Sequence, residues 1–123
     1  MSKKRRKQPV LSDQALDLLA ARFRALADPT RLRILNTLMR GECSVGALVE
    51  STGLEQPSVS RHLIVLKQEG ILARRAEGNR AFYRIEDPTV TKLFGLVCGG
   101  LVDRLSDDLD SLPAARLWKG AGI

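Results

Sequence analysis

QPSVSRHLIVLKQEG, residues 56–70, reads as a helix with two different faces. Val59, Leu63, Val65 and Leu66, joined by Ile64, recur at helical spacing and predict one buried stripe. Pro57 suits the first turn, where its missing N–H costs nothing, and Gly70 suits a left-handed C-terminal cap. The opposite face opens with Gln56, Ser58, Ser60, Arg61 and His62, all hydrogen-bonding types within the first turn and a half. Short polar groups at the N-terminal end of a helix with an apolar back suit insertion into a DNA major groove. An ordinary amphipathic surface helix shows the same spacing, so the flanking elements decide between the two.

Upstream, Ser44 can cap a short helix carrying Val45, Leu48 and Val49, with Cys43 at its start. Thr52-Gly53-Leu54 then makes a tight turn into the quoted stretch, and two short helices joined this way form a helix-turn-helix. Downstream the period changes to two. Ile71–Arg75 and Ala81–Ile85 are strand-forming runs around Glu77-Gly78-Asn79, a β-hairpin with Arg75 and Arg80 flanking its tip, where both are expected to contact DNA phosphates. Further out, Ser12 caps a first helix of roughly 13–27 with Leu16, Leu19, Ala20, Phe23, Leu26 and Ala27 on one face. Asp28-Pro29 stops it and starts a second, filled by Leu32, Ile34, Leu35, Leu38 and Met39, with Gly41 beyond its end.

Asp87-Pro88 begins a last helix reaching about Leu109, striped by Val90, Leu93, Val97, Leu101 and Leu105, with Phe94, Cys98 and Val102 beside them. Gly95, Gly99 and Gly100 each cost about 0.5–1 kcal/mol relative to Ala inside a helix. Three so close together imply a kink or the close approach of another backbone. The predicted class is therefore mainly α with a small β-hairpin, a winged helix-turn-helix. Residues 1–10 read as a disordered basic arm, 11–112 as the DNA-binding and dimerisation domain, and 113–123 as a C-terminal tail in which Trp118 is the residue suited to docking.

At 123 residues the chain has the length of one domain, and 44% hydrophobic residues with five aromatics predict an aliphatic core. No apolar run approaches the ~18–20 residues of a membrane span, and no apolar stretch follows the basic start as a secretory signal requires. Two cysteines do not make a disulfide scaffold, so the expected compartment is the reducing cytoplasm. The net charge of +6 is unevenly spread: Lys3, Lys4, Arg5, Arg6 and Lys7 supply five of it. Residues 56–84 carry a balance of +4 and residues 86–112 one of −4. A basic section beside an acidic one fits a DNA reader with a second function at its far end. The arm itself is either a solvated tail or a source of non-specific phosphate attraction.

The order helix, helix, helix-turn-helix, hairpin, long helix resembles the ArsR family of bacterial winged-helix repressors. The matching residues are Leu26–Leu35 (LADPTRLRIL), Pro57–Leu63 (PSVSRHL), and Gly78-Asn79-Arg80 running into Phe82-Tyr83-Arg84, and the resemblance covers roughly residues 15–105. It implies a homodimer through the first and last helices, a fourth helix in the major groove of an imperfect palindrome, wings over the flanking backbone, and release by an inducer. Arsenic-responsive members carry C-x-C where this chain has Ser44-Val45-Gly46. Zinc-type sites use several His and acidic ligands on the last helix, whereas the single histidine here is His62. The resemblance thus implies neither metal site and no cofactor. Gly41–Gly46 is closer to persulfide- and redox-sensing members, which pair a cysteine there with one on the last helix. Here that pair is Cys43 and Cys98, the second about one helical turn early. The helix-start position predicts a reactive thiolate at Cys43. The other reading makes both cysteines small buried hydrophobes, the usual role of a free Cys.

An enzyme is the weakest class, since the chain has no Gly-rich phosphate loop, no metal-ligand cluster and no carboxylate in the helix neighbourhood of His62. The expectation is a sequence-specific repressor of double-stranded DNA, released by a thiol-directed inducer. The alternatives are a repressor sensing arsenite or another soft metal, and a winged-helix module that binds protein or coats DNA without an effector.

Overall fold

Capping residues divide the chain into its helices. A computed structural model describes residues 10–108; the basic run 3–7 and the tail 113–123 with Trp118 lie outside the described residues. Helix α1 spans Asp13–Leu26, and Ser12 before it accepts the Ala15 amide on Oγ at 3.1 Å. Helix α2 spans Pro29–Leu38, capped by Asp28, whose Oδ1 accepts the amides of Thr30 (2.8 Å) and Arg31 (3.1 Å). Helix α3, Val45–Thr52, is capped by Ser44 through the Ala47 amide at 3.1 Å and ends at Gly53, φ +74°. Helix α4 is Gln56–Gln68. At its C-terminus the amides of Gly70 and Ile71 donate to the carbonyls of Lys67 (2.9 Å) and Leu66 (3.0 Å). This paired closure needs the left-handed φ of +76° that Gly70 adopts without a Cβ penalty. Arg22 of α1 donates to the Glu69 carbonyl and satisfies one more open acceptor there.

A three-stranded antiparallel sheet completes this unit, where the sequence predicts two strands. Strands β1 (Cys43–Ser44), β2 (Leu72–Glu77) and β3 (Arg80–Ile85) lie in the order β1-β3-β2. Gly78, at the first central position of the two-residue hairpin turn, takes φ +62°, as a tightly twisted turn requires there. The additional strand pairs Cys43 with Tyr83 and Ser44 with Phe82. Cys43 is therefore in a strand, before the cap of α3, and not at a helix start. Two residues carry no readable alternation; the pairing exists because β3 would otherwise present an open edge.

The core lies where α2, α3, α4 and the hairpin meet. Ile34, Leu35, Leu48, Val59, Leu63, Leu66 and Ile71 are fully buried. Each contributes about 1.5–3 kcal/mol over its exposed state. Ile64 does not join them: it is 53% exposed. The stripe Val59-Leu63-Leu66 repeats every three to four residues, and a position one beyond Leu63 is turned about 100° away on a 3.6-residue helix. The stripe of α1 also faces outward, with Leu16, Leu19 and Phe23 exposed.

The chain divides into two compact units between Glu86 and Asp87, and the second contains helix α5, Pro88–Asp108. The Thr89 amide donates to Asp87 Oδ1 at 2.9 Å where the helix starts. The helix runs unbroken through Gly95, Gly99 and Gly100, where an added Cβ would meet nothing within 4 Å. Leu96, Val97 and Leu101 are exposed along it. Among the described residues no helix is long and apolar enough to cross a membrane.

Asp28→Ala removes the side-chain oxygen that accepts two amides at the start of α2 and should cost about 1 kcal/mol of stability, read from the urea midpoint. The bond from the Arg31 amide, then that from Thr30, holds this carboxyl below its ordinary value of 3.8, against the opposing effect of burial. A depressed native pKa means the stabilisation is complete above the ordinary value and is lost as pH falls through the native one. The gap between wild type and Asp28→Ala should therefore be constant near neutrality and close in acid.

Candidate nucleic-acid interface

Packing of its apolar stripe leaves α4 with one solvent-facing side. Gln56 and Arg61 are exposed, and Ser58, Ser60 and His62 are half-buried on the flanks. Ile64, three residues after Arg61, joins the exposed face and offers an apolar contact of the kind that thymine methyls accept. Glu55 at the N-cap makes no side-chain bond to the first turn. The first-turn amides of α4 thus carry no side-chain cap, a setting that favours an anion such as phosphate. His62 is held from α2: its Nδ1 accepts a hydrogen bond from Arg31 Nε at 3.1 Å.

The two wing arginines differ. Arg75 grips Glu42 in a fork, Nε to Oε2 at 3.1 Å and Nη2 to Oε1 at 2.8 Å, and reaches Glu77 Oε1 with Nη1 at 3.2 Å. Its hydrogen bond holds the Glu42 carboxyl below the usual range. The guanidinium carbon of Arg75 also lies 4.7 Å from the Phe82 ring centroid, and that of Arg80 5.1 Å. Arg75 thereby fastens β2 to the loop before β1, with its charge matched by two carboxylates. Arg61 and Arg80 are exposed and make no ion pair among the described residues. An open cleft of about 340 Å³ lies between the starts of α3 and α4 and the wing tip, lined by Gly46, Gln56, Asn79 and Arg80 among others. The fold thus brings Gln56 and Arg80, 24 positions apart in the chain, to one concavity.

Sequence reasoning missed Arg31, Glu42 and Phe82. Arg31 was legible as part of the α2 start, but no local spacing links it to a histidine 31 positions later. Glu42 and Phe82 belong to loop and strand, and their meeting with Arg75 depends on the sheet register that sets Arg75 opposite Phe82.

Both cysteines are free and half-buried. Cys43 Sγ lies 3.6 Å from the Gly41 carbonyl oxygen, a weak S–H donor geometry. Burial, and then the neighbouring Glu42 carboxylate, push its thiol above the ordinary 9.0. This corrects the expected thiolate: in β1, before the cap of α3, burial and the adjacent acid both favour the neutral thiol of Cys43. Cys98 lies on α5, in the other unit.

Three helices packed as a helix-turn-helix core, closed by a hairpin with a basic tip, define a winged helix-turn-helix DNA-binding fold. The family model for bacterial regulatory proteins of the arsR family matches residues 28–74. The chain is 38% identical over 106 residues to an HTH-type transcriptional regulator of Mycobacterium tuberculosis, covering 85% of this chain and 93% of that one. The chain belongs to the arsR family of transcriptional regulators. It is also 44% identical over 77 residues to a Streptomyces lividans protein named "Probable mercury resistance operon repressor", covering 63% of this chain and 62% of that one. Among solved structures it resembles the homodimeric winged helix-turn-helix DNA-binding domain of a Mycobacterium bovis regulator. That match has a TM-score of 0.72 and 36% identity, over 81% of this chain and 95% of that one.

The raised Cys43 pKa has a kinetic consequence. Iodoacetamide alkylation of Cys43, followed by mass spectrometry, should run slower at neutral pH than alkylation of an unstructured cysteine peptide. It should still be rising with pH where the peptide has levelled off. A faster rate at Cys43 than in the peptide would contradict the burial of its sulfur.

Proposed function

We propose that the protein is a cytoplasmic repressor that binds an imperfectly palindromic operator as a homodimer and is released by a thiol-directed inducer. The observation that carries the DNA reading is the single exposed face of α4, with Arg61 at its middle and Arg80 across the adjoining cleft. Gln56, Ser58, Ser60, Arg61 and His62 address the major groove, and Arg80 a flanking phosphate. Arg75 supports the wing from behind. The dimer reading rests on apolar side chains left in water on α1 and α5, Leu16, Phe23, Val97 and Leu101 among them. Residues of this kind burying one another across a two-fold axis would place two α4 helices roughly 34–36 Å apart, one turn of DNA.

The inducer reading rests on position more than on reactivity. Cys43 pairs with Tyr83 in the sheet, and its neighbour Glu42 holds Arg75, so a modification at Cys43 would strain the base of the wing. Cys98 is the second thiol of this reading. A repressor sensing a soft metal is the second reading, favoured by the name of the Streptomyces lividans relative. Titrating the DNA complex of wild type, Cys43→Ser and Cys98→Ser with polysulfide, arsenite and Hg(II) separates the two. If both variants respond to every reagent as wild type does, neither cysteine senses anything.

Operator selection from random duplexes, followed by fluorescence anisotropy, tests the DNA reading. Arg61→Ala should lose about 1–3 kcal/mol on the selected site and relax preference at one base pair. An equal loss on operator and random DNA would make Arg61 a phosphate contact. Leu101→Glu should sediment as a monomer without operator affinity; an intact dimer would refute the placement of the seam.

A further inference from the structure

We propose that Arg31, on α2, is a positioning residue that makes His62 a dedicated hydrogen-bond donor for reading a base edge. The proposal rests on the assignment of α4 as the DNA-reading helix. Arg31 Nε lies 3.1 Å from His62 Nδ1. A guanidinium can donate and never accept, so Nδ1 must present its lone pair. A neutral imidazole with Nδ1 accepting carries its proton on Nε2. The ring's other edge then offers N–H.

Arg31 is itself held in place from three directions. Its amide donates to Asp28 Oδ1 at 3.1 Å, and its Nη1 donates to the Ala25 carbonyl at 3.3 Å. Its Cα belongs to the first turn of α2, which Pro29 begins. The guanidinium therefore ties α1, α2 and α4 together at one point, and the imidazole is the only one of these partners on the DNA-reading helix. His62 is half-buried and follows Ser58 by four residues, so the two share a flank of α4.

Tautomer becomes specificity through the donor and acceptor pattern of the major groove. A fixed Nε2–H fits guanine N7 or O6, adenine N7 and thymine O4, and is repelled by the exocyclic amines of adenine and cytosine. An unheld imidazole could move its proton to Nδ1 and accept from those amines. Arg31 removes that option without touching DNA, which is discrimination by exclusion.

The chain has one histidine, so a ¹⁵N-labelled sample yields a single imidazole spectrum. Above neutral pH the wild-type protein should show protonated Nε2 and unprotonated Nδ1, and Arg31→Met should populate the other tautomer. A proton on Nδ1 in wild type, or an unchanged single tautomer in folded Arg31→Met, overturns the proposal. The second arm uses binding to the selected operator and to its single-base variants. His62→Gln keeps an amide N–H at the level of Nε2 but can also turn its oxygen outward, so it should keep operator affinity and come to tolerate a base pair that presents an amine there. His62→Asn reaches only to the level of Nδ1 and should lose about tenfold at one base pair, ~1.4 kcal/mol. Wild-type discrimination in His62→Asn, or a uniform loss on operator and random DNA, overturns the base-reading role. A wild-type protein without any operator preference overturns the assignment of α4, whereas a wrong tautomer overturns the part of Arg31 alone.

Discussion

Val59, Leu63 and Leu66 are entirely withdrawn from water, and the rest of the first unit depends on keeping them so. Helix α4 packs against α1, α2, α3 and β2, so its apolar side is surrounded. Burial of those three side chains contributes about 1.5–3 kcal/mol apiece, more than any exposed polar contact in the unit can supply. A helix pinned along one stripe has no freedom to roll. The face opposite the stripe is thereby presented to solvent in a fixed orientation, as reading a groove demands.

Polar contacts then set what hydrophobic burial leaves undetermined. Non-directional packing fixes the roll of α4 but tolerates small slides along its axis. Arg22 on the Glu69 carbonyl, the paired closure at Gly70 and Ile71, and Arg31 on His62 each act at a defined point along the helix. The Arg75–Glu42 fork does the same for the wing. Its exposure makes it a weak source of stability, but bidentate geometry gives it orientation. A DNA reader needs its helix and wing at one relative setting more than it needs extra stability.

The same division of labour separates the two sets of apolar residues. Ile34, Leu35, Leu48, Val59, Leu63 and Leu66 on α2, α3 and α4 close the core within the chain, whereas Leu16, Leu19 and Phe23 on α1 and Leu96, Val97 and Leu101 on α5 remain in water. Glycines on α5 carry no neighbour within 4 Å of an added Cβ and leave that helix surface low, as a close-packed partner backbone would need. The thiols sit apart from this pattern. Cys43 is shielded and beside an acid, so any chemistry there begins from a reluctant sulfur.

Periodicity and capping are local properties, and they made the helices, the turn at Gly53 and the hairpin at Gly78 legible in the chain. Ser12, Asp28 and Ser44 act as caps because a short side-chain oxygen reaches amides two or three residues on, a distance set by the backbone alone. The polar face of α4 followed from the same spacing. What only the tertiary structure decided involves partners far apart in sequence: the strand at Cys43, the fork between Arg75 and Glu42, and the hold of Arg31 on His62. A side chain's spacing says which face it shares, but not which distant element will pack on that face. Arg75 and Arg80 look alike beside the wing tip, yet the fold brings Glu42 to Arg75, which already has Glu77 two positions along its own strand, and leaves Arg80 in the cleft beside Gln56. Register and packing are long-range consequences of the whole core, and no local pattern in the chain encodes them.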